Sequence, residues 1–424
     1  MKRWEFGALV LLVGAAAIWS GVTPRAARAQ DTISGEWRIE TRSGRNFVSD
    51  KSGDMIHLEM RRDSWGSHSN WGNTIKPGEL EGLDYMRARN GDSFEAKFQR
   101  KRDAGTTTFT GSFRDGTGNG EFTFSPNMEF AAAMKAMGYG SLSTEKLFTF
   151  AQHDVSRKFI QDMRDAGYPD LTEDQLVTFR IHGVSPEYVK EMRGVGFEHL
   201  SPDKIVTFRI HGVSAEYARQ MASFGIRDLS PDEIVTMRIH GVTPEFVRDM
   251  GDLTKMRLSA DQVVTFRIHG VSPEMVREMN SLGFPDLSAD QLVTMRIHGV
   301  SPEFVKALRA AGYDHLSSEK LVTFRIHGVS PEFVREMSAA GVDRLDAEEL
   351  VNFRIHGVSP EFVRQLKELG YSHVAADQLV NMRIHGVTAE FVRDLQQRGF
   401  KDLSIDELVQ MKIHGFGRGR RGTV

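Results

Sequence analysis

The chain has 424 residues, no cysteine, and 54 Lys plus Arg against 57 Asp plus Glu. Without thiols there can be no disulfide framework, thiolate zinc site or cysteine nucleophile, and a formal net charge of −3 argues against a general nucleic-acid binder. Met1 to Ala29 reads as an export signal: Lys2 and Arg3 precede an apolar stretch through Ile18, and Ala27-Arg28-Ala29 supplies the small residues of a cleavage site before Gln30. The fully apolar run from Gly7 to Ile18 falls short of the ~20 residues that span a bilayer, so no stable membrane insertion is expected after cleavage. Cleavage removes four basic and one acidic side chain and takes the net charge from −3 to −6.

From residue 30 to 124 the apolar residues alternate: Trp37 and Ile39; Ile56, Leu58 and Met60; Phe94, Ala96 and Phe98; Phe109, Gly111 and Phe113; Phe122 and Phe124. Period two predicts half-buried strands, and the turn clusters Asp103-Ala104-Gly105 and Asp115 to Gly120 punctuate an antiparallel β-meander of about five or more strands. The Asp115-Gly-Thr-Gly-Asn-Gly120 run lies between strands with no helix after it, so it reads as a hairpin turn rather than a phosphate cradle. Ser64 to Gly82, with Trp65, His68 and Trp71, is too irregular to assign.

From 125 to 414 the sequence repeats every 29 residues, ten times over. Arg180-Ile-His-Gly183 returns at Arg209, Arg238, Arg267, Arg296, Arg325, Arg354 and Arg383, Lys412-Ile-His-Gly415 closes the series, and Ala151-Gln-His-Asp154 holds the same register. Each unit encodes two helices. One starts at Ser301-Pro302-Glu303, with a capping serine, proline at the first helical position and an acid at the positive dipole end, and stops at Gly312. The other starts at the capping box Ser288-Ala-Asp-Gln291 and stops at His298-Gly299. Phe304, Val305 and Leu308 on the first, with Leu292, Val293, Met295 and Ile297 on the second, form faces too broad for one hairpin to bury. Stacking on neighbours buries them, which predicts an all-α solenoid about 100 Å long. The expected class is α+β: a small β domain, the solenoid, and a disordered basic tail at 415–424. In the fifth unit Thr254-Lys255 replaces the glycine and apolar residue of Gly312-Tyr313, and Gly251 lies inside the helix, so a soft joint is expected there.

Ten histidines share one register, from His153 to His414. One per unit, spaced ~9 Å apart, cannot share a zinc ion that needs nitrogens about 2.0 Å away, so each reads as a helix-terminal residue against the last carbonyls, and neither metal nor cofactor is expected. The arginines two residues earlier read as helix-end charges neutralised by the glutamates at the second position of the next helix, such as Glu187, Glu303 and Glu332. Catalytic signatures such as His-Glu-x-x-His and Gly-x-Ser-x-Gly are absent from the sequence.

The run Leu-Val-Thr-Phe-Arg-Ile-His-Gly-Val-Ser-Pro-Glu resembles the helix-hairpin-helix of DNA-binding proteins, but proline deletes an N–H and glutamate sits where phosphate would, so no nucleic-acid partner is expected. Extended through Phe-Val-Arg-Glu-Met, the unit is similar to a repeat of exported and membrane-associated bacterial proteins, found in some as a tail on zinc metallopeptidases of the beta-lactam-sensor type. The peptidase's zinc motif and helical bundle are missing here, so the resemblance implies a binding or sensing module of the cell envelope and no protease activity.

These readings converge on an exported, non-enzymatic scaffold or sensor that binds a protein or an envelope polymer in the periplasm or outside the cell. The alternative is a glycan-directed enzyme using Asp, Glu, His57 or His68 beside Trp65 and Trp71 in the β domain. Within the repeats the Arg-Ile-His-Gly hairpin hardly varies while the opposite connection does, so Arg227, His315, Arg344 and His373 on that connection are the candidate partner-binding residues.

Overall fold

The computed structural model describes residues 32–41, 55–64 and 67–415, except for the side chains at 63, 64, 67 and 68. The export signal, Trp65, the His68 side chain and the basic tail beyond Gly415 lie outside the described residues. Two compact units divide the chain, one ending at Ile181 and the other beginning at His182. Among the described residues no helix is long and apolar enough to cross a membrane.

In the first unit the described residues form six strands: β1 (Ile33–Glu40), β2 (Ile56–Ser64), β3 (Ser67–Ile75), β4 (Phe94–Arg102), β5 (Gly105–Arg114) and β6 (Thr117–Pro126). They make one antiparallel sheet in the order β3-β2-β1-β6-β5-β4, two meanders joined where β1 pairs with β6. β3 occupies part of the irregular stretch from Ser64 to Gly82. It is an edge strand rich in Ser, Asn and Gly, without the apolar alternation that marks the others. Asp115 and Gly116, both at positive φ (52° and 83°), form the two-residue turn from β5 to β6 that matches the twist of the strands. Gly118 and Gly120 belong to β6 itself. Gly120 faces Gly111 across the ladder, and a Cβ there would lie 2.0 Å from the Thr110 carbonyl oxygen.

One face of the sheet carries the core. Trp37 is buried with Phe98 edge-on at 5.0 Å and donates its indole N–H to the Thr110 carbonyl at 3.1 Å. The helix Thr144–Gln152 lays Phe148 on this sheet, stacked on Phe122 at 5.9 Å and edge-on to Phe124 at 5.2 Å. Burying rings of this size supplies much of the stabilisation available to so small a sheet.

Among the described residues the repeats form twenty helices, from Met128–Ala136 to Ile405–Ile413, two to each 29-residue unit, so the chain is α+β. The caps operate as the sequence predicts. Ser301 Oγ accepts from Phe304 N–H at 3.3 Å, and Ser288 and Gln291 exchange side-chain and backbone bonds at 3.2 and 2.9 Å. Gly299 and Gly312 stop their helices at φ 71° and 93°.

Within the second unit, like packs on like. The first helix Pro331–Ala340 lies against Pro360–Glu368, and the second helix Ala260–His269 lies between Pro231–Ile239 and Ala289–Ile297. Phe304, Val305, Leu308, Phe324 and Phe333 all belong to one continuous apolar cluster.

Two expectations are corrected. Ile297 does not join the packing face; it is exposed. The fifth unit does not lose its left-handed stop. Its first helix runs on to Thr254, and Lys255 takes the left-handed conformation at φ 54°, a position where a Cβ is unfavourable.

Candidate functional site

The hairpins present two ends: the constant Arg-Ile-His-Gly turn, and the variable connection from first to second helix. At the constant end the arginines reach back across one repeat rather than forward to the next helix's glutamate. Arg325 donates Nε–H to the Gly299 carbonyl at 2.6 Å, and Arg238 and Arg354 reach the carbonyls of His211 and His327 at 3.4 Å. Their guanidinium carbons sit over the aromatic ring in the first helix of their own 29-residue unit: Arg209 over Tyr188 at 4.6 Å, Arg325 over Phe304 at 4.4 Å, Arg354 over Phe333 at 4.9 Å. Helix C-terminal carbonyls are orphan acceptors carrying partial negative charge, and an aromatic face attracts a cation. One side chain therefore satisfies both and ties consecutive hairpins.

The pairing expected between this arginine and glutamate gives way to that arrangement in these units, while at Glu390 the helix-start N–H and Thr388, and then Arg383, hold the carboxylate below its ordinary pKa. Glu216, Glu332 and Glu361 instead pair with Arg219, Arg335 and Arg364 on their own helices. The histidines do sit at helix ends, His298 as the C-cap residue and His327 as the last helical residue. The side chain found on the terminal carbonyl, however, is the next unit's arginine.

Between arginine and histidine lies the feature that apolar periodicity misplaces. Ile210, Ile239, Ile268, Ile297, Ile326, Ile355 and Ile384 are each 53–56% exposed. Because second helices stack on second helices, these side chains recur at the same place on each successive hairpin of the second unit. Periodicity alone cannot separate them from core positions. The signal that does so is their place beyond the last buried turn, next to the capping histidine.

At the variable end, Arg227, His315, Arg344 and His373 are all exposed. His315, Arg344 and His373 occupy the same register in three consecutive hairpins, while Arg227 stands one register earlier and three hairpins before His315. Arg344 is in the left-handed region at φ 64°, as are Asp228 and Asp402 in the same register.

In the sheet, Trp71 is half-buried and packs edge-on to Phe148 at 5.4 Å. His57 Nε2 lies 3.6 Å from Glu59, and its Nδ1 lies 3.5 Å from Thr74 Oγ1. No protein-family model matches the chain, and no curated protein matches it.

Proposed function

We propose that this chain is a non-enzymatic binding scaffold, exported to the bacterial periplasm or cell exterior, that holds an elongated protein along its stacked hairpins. The row of half-exposed isoleucines supports this reading. Packing and capping account for the other constant residues of the repeat, but a side chain left half in water is not fixed by the core. Covering the exposed half of each would contribute about 1 kcal/mol on the usual scale for apolar burial, so a row of them adds several kcal/mol toward the cost of association. An aliphatic row offers no ring face or hydrogen bond to a sugar, which favours apolar side chains of a protein over an envelope polysaccharide.

A second reading rests on the opposite end, where exposed side chains differ from unit to unit. There Arg227, His315, Arg344 and His373 are the proposed partner-reading residues.

Capture from an envelope extract tests both. Ile268, Ile297 and Ile326 replaced together by Ser, in the full chain, should abolish capture of a saturable protein partner while leaving the melting temperature nearly unchanged. Retained capture in that variant, with loss in a variant carrying Ser at Arg227, His315, Arg344 and His373, would move the binding face to the variable loops. Capture unaffected by either set would overturn the scaffold reading.

A further inference from the structure

The first repeat unit departs from the others at the constant turn, and the departure builds a polar cleft. Ala151-Gln152-His153-Asp154 stands where eight units have Arg-Ile-His-Gly and the last has Lys-Ile-His-Gly. Gln152 is buried, not exposed like the isoleucines, and its Oε1 accepts from Asn73 Nδ2 at 3.2 Å. Asp154 takes the left-handed position of the glycine at φ 54°, a conformation that costs a residue with a Cβ about 1 kcal/mol. It binds Arg180 Nη2 at 2.8 Å and lies 3.2 Å from Arg102 Nε.

Beneath lies Arg100. On β4 it follows Ala96 and Phe98 in the inward register, and it is only 8% exposed. Its Nη2 donates to Glu79 at 3.2 Å, a carboxylate it shares with Arg102. Its Nε and Nη1 are buried and have no partner among the described residues. Leaving donors of a buried cation unpaired costs at least about 1–3 kcal/mol, an expense native proteins keep mainly where something else meets it.

We infer that this cleft, lined by Asn73, Glu79, Arg100, His153, Asp154 and Arg180, binds a small hydroxylated carboxylate of the acidic-sugar class. Its volume of about 640 Å³ falls in the range of small-molecule sites. Among the described residues three guanidiniums, from Arg100, Arg102 and Arg180, face two carboxylates, those of Glu79 and Asp154. Burial, and then the guanidiniums of Arg100 and Arg180, depress the His153 pKa, so the imidazole adds no charge at neutral pH. The cleft thus lacks one negative charge. A carboxylate supplies one, with the planar geometry that a guanidinium fork receives, whereas a phosphate monoester brings nearly two. Asn73 and Thr74, which also line the cleft, bring the amide and hydroxyl groups that sugar hydroxyls need.

Calorimetric titration of the full chain with D-glucuronate, D-glucose and inorganic phosphate tests the inference. Glucuronate should bind saturably and at least about tenfold more tightly than glucose, because only it carries the missing charge. Arg180→Gln should weaken glucuronate binding about tenfold, and Arg100→Met should abolish it. Since Arg100→Met removes a buried group and can unfold the sheet, Asp154→Asn provides the opposite sign: it removes a competing anion, tolerates the left-handed backbone, and should tighten glucuronate binding about fivefold. Equal affinity for glucose, no binding of glucuronate, weaker binding by Asp154→Asn, or tighter binding of phosphate than of glucuronate would each overturn the assignment.

Discussion

Arg325 donates its Nε–H to the carbonyl oxygen of Gly299, 2.6 Å away and one hairpin earlier, while its guanidinium carbon lies 4.4 Å from the centre of the Phe304 ring. The turn carbonyl just past one helix and the ring of the following helix are held by a single cation from the end of the helix after that. The tie depends on what lies beneath the cation. In one unit Met275 stands in the place of the aromatic ring, so Arg296 has no π face to cover. Arg325→Met should lower the stability of the repeat array by about 1 kcal/mol, and Arg296→Met by less, since the first loses both a carbonyl bond and a cation–π contact. Urea denaturation followed by circular dichroism would show the difference; equal midpoints for the two variants would show that the ring and carbonyl contacts of Arg325 do not stabilise the array.

The fifth unit should accept stabilising changes. A Cβ at Gly251 would have its nearest neighbour 3.9 Å away, and the helix around it runs unbroken from Pro244 to Thr254. Gly251→Ala should therefore add up to about 1 kcal/mol. Lys255→Gly, at φ 54°, should add about the same by relieving the left-handed strain. A fall in melting temperature for either variant would contradict this backbone geometry.

Two kinds of glycine should respond differently to alanine. At Gly120 a Cβ meets the Thr110 carbonyl oxygen at 2.0 Å and the Gly111 Cα at 2.6 Å, so Gly120→Ala must part β5 from β6 and should cost more than about 3 kcal/mol. Gly138 has open space around it but sits at φ 98°, so Gly138→Ala should cost only about 1–2 kcal/mol of backbone strain. Thermal melting of both variants separates a packing collision from a conformational one.

His153 should make the first unit sensitive to mild acid. Burial and the neighbouring Arg100 and Arg180 hold its folded pKa below the ordinary value of 6.5. As pH falls through 6.5 the unfolded chain takes up a proton that the folded chain refuses, so stability present above 6.5 is lost through the window below it. The drop in melting temperature between pH 7.5 and pH 5.5 should be smaller in His153→Gln than in the parent. An equal drop would place the acid sensitivity elsewhere.

Much of the architecture was legible in the residues because it is written locally. Ser301, Pro302 and Gly312 start and stop a helix through bonds made within a turn or two, and the same instructions recur in each unit, so helix number and order follow without tertiary information. Strand alternation in β1, β4, β5 and β6 is equally local. β3 escaped because an edge strand needs only one neighbour and tolerates a polar sequence.

What only the tertiary structure decided is which side chain meets which across repeats and across the sheet. Ile297 and Leu292 are both aliphatic residues of one short helix, but the stack covers Leu292 and stops short of Ile297. Arg100 follows Phe98 in strand register as an ordinary alternation, yet burial beside Arg102 and Glu79 makes it a cation with unshared donors. Capping and periodicity act over a few residues, whereas exposure and charge balance are set by distant segments brought together, and a linear pattern does not contain that sum.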